Sequence, residues 1–155
     1  MALFSEAGLE VAGISNREKI IYLKQYIILD RKIDRMITDL ERQRSRLGKL
    51  TPTLSDMPGG GGSIYKSNDL DIINKIIDLE AEINRKIDRV IDLKHRIEQL
   101  IDSIDDEREK LLMSYRYLDG MTFEWIASEM HYSWKQIHRL HSKALAKINI
   151  WEVGR

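Results

Sequence analysis

Along two long stretches of this 155-residue chain, apolar side chains recur at alternating spacings of four and three. The first stretch reads Tyr22, Tyr26, Leu29, Ile33, Met36, Leu40, Gln43, Leu47, with seven of eight apolar. The second reads Ile73, Ile76, Glu80, Ile83, Ile87, Val90, Lys94, Ile97, Ile101, Ile104, with eight of ten apolar. A repeat of 3.5 residues keeps its stripe on one face only if the backbone is helical and gently supercoiled. At 1.5 Å per residue the two helices are about 48 and 55 Å long. Neither can bury its stripe alone, so each needs a partner helix. Composition agrees: 22 Ile and 17 Leu stand against two Phe and two Pro, and 32% of the residues are charged. That mixture describes long amphipathic helices better than a compact enzyme core.

The spacing predicts a first helix from about Asn16 to Leu47, with Asn16 as a partial N-cap and Gly48 in the position of a left-handed C′ residue. Residues 48–66 read as a loop. Pro52 and Pro58 block helix continuation, and Gly59–Gly62 carry no side chains to order them. A phosphate-binding loop is excluded there, because no Gly-Lys-Ser/Thr follows the glycines and no strand precedes them. A hinge fits best; Gly-Gly-Gly-Gly-Ser is also the sequence of a common engineered spacer. The second helix is expected from about Asn68 to Asp105. The organisation expected is an N-terminal segment at 1–15, an antiparallel coiled-coil hairpin at 16–106 and a further domain at 107–155.

Charge separates along the chain. Lys+Arg and Asp+Glu number 25 each, so the net is zero, yet residues 1–66 carry +3, 67–106 carry −5 and 107–155 carry +2. An antiparallel hairpin sets the basic segment against the acidic one. Arg31-Lys32-Ile33-Asp34-Arg35-Met36-Ile37 recurs as Arg85-Lys86-Ile87-Asp88-Arg89-Val90-Ile91, in phase with both stripes. Like charges four apart, such as Arg42/Arg46 and Asp88/Asp92, cost about 0.2–0.5 kcal/mol per pair on an isolated helix; they fit either opposite charges on a neighbouring helix or a solvated charged face. Asn84 and Lys94 lie on or near the second stripe, where polar residues set register and oligomer state. Ile33, Ile37, Leu40, Ile83, Ile87, Val90 and Ile97 are the expected oligomerisation contacts.

From Glu107 the pattern changes to short helices: Arg108–Leu118, ended by Asp119-Gly120; a second capped by Thr122; a turn at His131-Tyr132; and a third capped by Ser133. Gln136, three residues after Ser133, completes a capping box. The helix Trp134–Asn149 holds Lys135, Arg139, Lys143 and Lys147 and no acid. Two short helices joined by a tight turn, the second basic, make a helix-turn-helix. Ala127 is small where the helices must approach. Ile126, Met130, Ile137, Leu140, Leu145 and Ile148 supply a core at helical spacing. The outer face then offers Trp134, Lys135, His138, Arg139 and Ser142.

Glu107-Arg108-Glu109-Lys110-Leu111-Leu112, then Tyr115 through Ala127 with its Gly-x-Thr-aromatic-Glu-x-Ile-Ala signature, and the close Lys143-Ala144-Leu145-Ala146-Lys147-Ile148 resemble region 4 of bacterial sigma factors of the sigma-70 type. The resemblance covers about a quarter of the chain. The wider layout resembles small prophage proteins of streptococci and related Gram-positive bacteria, akin to phage late-operon regulators of the ArpU/RinA type. These resemblances imply a DNA-binding regulator of late phage genes, an activator, in the cytoplasm of a bacterial host, with host RNA polymerase as a further partner. They imply that the helix from Ser133 enters the major groove. Trp134, Lys135 and His138 then read bases, with Gln136, Arg139 and Ser142 beside them. Lys143 and the capped helix start at Thr122 then hold phosphates. Trp125 and Trp134 depart from the sigma pattern, which has Glu at the first and a polar or basic residue at the second. Nothing resembles sigma region 2, so the chain is not a complete sigma factor.

Other chemistry is poorly supported. There is no Cys, hence no disulfide, thiolate zinc site or Cys nucleophile. His131, His138 and His141 lack the carboxylate and spacing of a zinc site. His138 suits a DNA-facing donor, and His141 suits the rear of the helix. Trp125 reads as partial core. The acidic run Glu98, Asp102, Asp105, Asp106, Glu109 reads as a solvated helix end. No apolar run reaches the roughly 18 residues of a membrane span, and Met1–Ser15 lacks the features of a secretory signal. No catalytic arrangement and no cofactor are expected. A lone module with a net +2 should bind non-specific DNA only around 10⁻⁴–10⁻⁶ M. A homodimer presenting two recognition helices to double-stranded DNA overcomes this. Two other classes remain open: a small terminase subunit, which forms a ring, and a module that binds RNA polymerase rather than DNA.

Overall fold

The structure is a computed structural model that describes residues 14–50 and 67–151. It is all-α: two long helices packed on each other, then three short ones forming a helix-turn-helix region. The elements are α1 (Asn16–Leu50), α2 (Ser67–Asp102), α3 (Glu107–Tyr117), α4 (Phe123–Glu129) and α5 (Trp134–Lys147). The described residues divide into two compact units. One comprises 28–50 with 67–93 (the unit 28–93 below), and the other comprises 14–27 with 94–151.

In the unit 28–93, the heptad stripe decides burial. Every residue of α1 there that is not exposed lies on it: Leu29, Ile33, Met36, Leu40, Gln43 and Leu47. From α2, Ile83 and Val90 are buried and Ile73, Ile76, Glu80 and Ile87 are half-buried. Glu80 interrupts the apolar stripe because it pairs with Arg44 of α1, a contact between the basic and the acidic helix. Such exposed pairs contribute little stability, about 0–1 kcal/mol, so the aliphatic seam carries this unit. Ile33, Leu40, Ile83 and Val90 are thus covered by the chain's own hairpin, whereas Ile37 remains 38% exposed.

In the other unit, Leu23, Ile97, Leu100, Ile101 and Ile104 are buried together with Leu112, Met113, Tyr117, Ile126, Ala127, Ile137, Ala144, Leu145 and Ile148. The first turns of α1 and the last turns of α2 therefore belong to the same compact unit as the helix-turn-helix. Met130 and Leu140, expected in the core, are only half-buried. Lys94 is exposed despite its place on the stripe. A buried ammonium without a partner costs too much; Lys94 instead lies 3.7 Å from Glu98.

Several element ends differ from expectation, those of α2 at Ser67 and of α3 at Glu107 and Tyr117 by a single residue. The α1 cap is formed one residue early. The Ser15 amide donates to Glu18 Oε2 at 2.8 Å and the Glu18 amide donates to Ser15 Oγ at 3.3 Å, a reciprocal box hidden in Ser15-Asn16-Arg17-Glu18. The Ser15 amide and the Ser15 hydroxyl, both donating to Glu18 Oε2, hold that carboxyl below its ordinary value. Gly48 does not end α1, which continues to Leu50. The rest of the expected loop, 51–66 with its glycines, lies outside the described residues, as does the segment 1–13. The end of α2 falls at Asp102 rather than Asp105, with Ser103 Oγ donating to the Leu100 carbonyl at 2.6 Å. The α5 helix ends at Lys147, two residues before Asn149.

Candidate nucleic-acid interface

The turn between α4 and α5 is built by backbone geometry. Thr122 caps α4 and its hydroxyl accepts from the Trp125 amide at 3.2 Å. At the other end the Tyr132 amide donates to the Ala127 carbonyl at 2.9 Å and the His131 amide to the Ser128 carbonyl at 3.3 Å. This 6→1 and 5→2 pair is a Schellman motif, and its C′ residue must be left-handed. His131 occupies that place with φ 57°. Gly120 (φ 72°) makes the corresponding reversal after α3. The chain then re-enters helix at Ser133, whose Oγ accepts from the Gln136 amide at 3.2 Å while Gln136 Oε1 accepts from the Ser133 amide at 2.8 Å. Two of the four orphan donors at the start of α5 are thereby satisfied, and this end of the helix is fixed in direction.

The other end of α5 is anchored twice. Lys19 Nζ of α1 donates to the Leu145 carbonyl at 2.7 Å, placing a cation at the negative end of the helix dipole. Lys147 Nζ donates to Glu109 Oε2 at 2.7 Å. Glu109 is 2% exposed, so it is a buried counter-charge rather than part of a solvated acidic end. This pair raises the Lys147 pKa, chiefly through the hydrogen bond from Lys147 to Glu109. Lys147 is therefore structural, and three of the four α5 bases remain for a ligand.

Those three, Lys135, Arg139 and Lys143, are exposed, as are Trp134, Gln136 and Ser142. Spacings of four and three put Lys135, Arg139 and Ser142 on one face and Gln136, Arg139 and Lys143 on the adjoining one. Arg139 and Lys143, with Gln136, Leu140, Tyr132 and Arg108 of α3, line a hollow of about 190 Å³. Its three cations suit a phosphate group. Arg108 is held there by Asp106, with Nη2 2.8 Å from Oδ2, while Asp106 also caps α3. That pairing holds the Asp106 carboxyl far below its usual range. Arg108 and Tyr132 were not singled out from the sequence as contacts. Only the packing of α3 beside α5 brings them to Lys143.

Behind this face the rings form a continuous set. Trp134 and His138 have centroids 3.9 Å apart, and Phe123 lies 4.6 Å from His138 and 5.0 Å from His141. The Arg116 guanidinium sits 4.4 Å over the Phe123 ring. His138 Nε2 is buried without a hydrogen-bond partner, so that nitrogen is enclosed by the protein rather than presented to a base edge. His141 is 6% exposed and its Nε2 lies 2.8 Å from Tyr117 Oη. Burial pushes the His141 pKa down to about 4 and that of Tyr117 up to about 12. With both groups neutral, the His141 tautomer sets the direction of this bond: the Tyr117 hydroxyl donates when the ring proton is on Nδ1 and accepts when it is on Nε2. Trp125 is 41% exposed and meets Tyr115 edge-on at 5.2 Å. Among the described residues, no group of three or more His, Asp or Glu could hold a metal ion, and no helix is long and apolar enough to cross a membrane.

Residues 106–149 match the family model described as Sigma-70, region 4. This span runs from the α3 cap to just beyond α5 and contains every expected DNA-binding residue. No curated protein and no solved structure matches the chain.

Proposed function

We propose that the chain is a sequence-specific, double-stranded DNA-binding regulator of transcription that lays α5 in the major groove. The supporting observation is the outer face of α5. A capped helix presents Lys135, Arg139, Ser142 and Lys143 to solvent, with no acid on the helix, in a protein whose net charge is zero. Trp134, Lys135 and Arg139 are assigned to base edges, Arg through bidentate bonding to guanine and Trp through the thymine methyl. Thr122, Lys143 and Arg108 are assigned to phosphates, which set register without reading sequence. Ser133 and Gln136 act first as the cap that aims the helix. His138 braces Trp134 from behind.

The finer reading draws on the resemblance to phage late-operon regulators. The protein acts in a bacterial host as a dimer on two half-sites near a late promoter, activates transcription and contacts RNA polymerase. Selecting bound sequences from a random duplex library tests it. Enrichment of one motif by the full chain, lost in Lys135→Ala/Arg139→Ala, is expected. No enrichment, or enrichment that survives the double change, contradicts the assignment.

A further inference from the structure

One face of α2 is left uncovered in the unit 28–93. Leu70, Ile77 and Ile91 are 49%, 56% and 48% exposed. They stand at heptad spacing, with Asn84 in the heptad place between Ile77 and Ile91. Adding the residues between them gives a second run at spacings of four and three: Leu70, Asn74, Ile77, Ala81, Asn84, Asp88, Ile91. All seven are exposed. From Asn74 onward each follows a residue of the first stripe by one position, so this run lies about 100° further around the helix. Scattered exposed aliphatics are ordinary, but aliphatics in heptad register form a coiled-coil seam without its partner. The first stripe, which was expected to join two chains, is already occupied within one.

We propose that this second stripe pairs antiparallel with the same stripe of a second copy, joining two hairpins through α2. The inference rests on the dimeric reading above and names its surface. Three observations favour a second copy of this chain. The centre of the stripe, Ala81 to Asn84, is uncharged and would face its own copy in a two-fold antiparallel pairing, which puts Asp88 opposite the partner's Ile77 towards each end. Asp78 and Arg85 flank it, each one residue beyond a stripe position. Their midpoint lies within about one residue of the midpoint of Ala81 and Asn84. A two-fold antiparallel pairing there sets each Asp78 beside the partner's Arg85, the flanking charge match that fixes register in coiled coils. The same register opposes Asp71 and Asp92 only at the exposed ends, where salt screens them. A parallel pairing would stack Asp88 on Asp88 inside the stripe. Ala81 lets the helices approach at the centre, and Asn84 fixes the alignment at some cost in affinity.

Sedimentation equilibrium of the full chain from about 1 to 100 µM tests this. The wild type should reach the mass of two chains. Ile77→Glu/Ile91→Glu should give the mass of one, with unchanged helical circular dichroism because both sites are exposed. Asn84→Ile should tighten association by about tenfold. The chain has no Cys, so orientation is directly readable. Mixed Ala81→Cys and Asn84→Cys chains should cross-link with each other more readily than either does with itself. A wild type of single-chain mass at 100 µM, a ring-sized mass, or a two-chain mass in the double Glu variant overturns the proposal. The DNA reading is judged separately. The single-chain variant should keep weak, salt-sensitive DNA binding, and a wild-type dimer that binds no DNA contradicts the function while leaving the interface standing.

Discussion

His141 shows what burial does to one residue. Its imidazole stays neutral in the fold with a pKa near 4, against about 6.5 for an ordinary histidine. Above pH 6.5 folded and unfolded chains are both neutral there, and His141 gives no pH dependence. As pH falls from 6.5 towards 4 the unfolded chain takes a proton that the folded chain refuses, and stability drops by up to about 3 kcal/mol. Urea unfolding at pH 7.5 and pH 4.5 should show this loss, and His141→Gln should flatten it. The burial of His141 could be anticipated, because it lies four residues after Ile137 and four before Leu145 on the apolar face of α5. The enclosure of His138 Nε2 could not, because it depends on Phe123 and Trp134 arriving from two elements. Glu109 was misread for a similar reason. In sequence it continues an acidic run, and only the contact with Lys147, 38 residues away, makes it a buried counter-charge.

Among the elements, the 3.5-residue repeat was the most legible feature, since the side chains it selects are those the hairpin covers. Ile83→Ala should therefore cost about 2–4 kcal/mol by leaving a cavity, whereas Ile91→Ala on the open face should change chain stability by less than about 0.5 kcal/mol at concentrations too low for association. Thermal unfolding of dilute protein checks the pair. Element ends were less legible. Gly48 looked like a C′ residue, but α1 runs through it to Leu50. The Ser15–Glu18 box was overlooked because Asn16 offered a rival cap one residue later. The helix-turn-helix turn hides a position of real strain, where His131 carries the φ that glycine adopts freely. His131→Gly should raise stability by roughly 0.5–1 kcal/mol without altering DNA affinity, read by unfolding and binding assays together.

For the whole molecule, net neutrality conceals a division of labour. The basic α1 and acidic α2 pack on each other, and α5 presents Lys135, Arg139 and Lys143 with no acid on the helix. The motif and its caps could be read from residues alone, because Thr122, Ser133 and Gln136 act locally. The compact unit that includes the first turns of α1 could not, because Lys19 reaches Leu145 across 126 residues of chain. The same arithmetic sets the expected strength of the interface. Of the four bases on α5, Lys147 is spent on Glu109, leaving Lys135, Arg139 and Lys143, with Arg108 beside them. The most direct test is the affinity of the full chain for a duplex carrying its selected motif, measured from about 50 to 300 mM salt. Log affinity should fall linearly with log salt, with a slope of about −2 per chain from Lys143 and Arg108, and Lys135→Ala/Arg139→Ala/Lys143→Ala should remove about half of that slope and the preference for the motif. Equal affinity and equal slope in the wild type and the triple variant would contradict the placement of α5 in the groove.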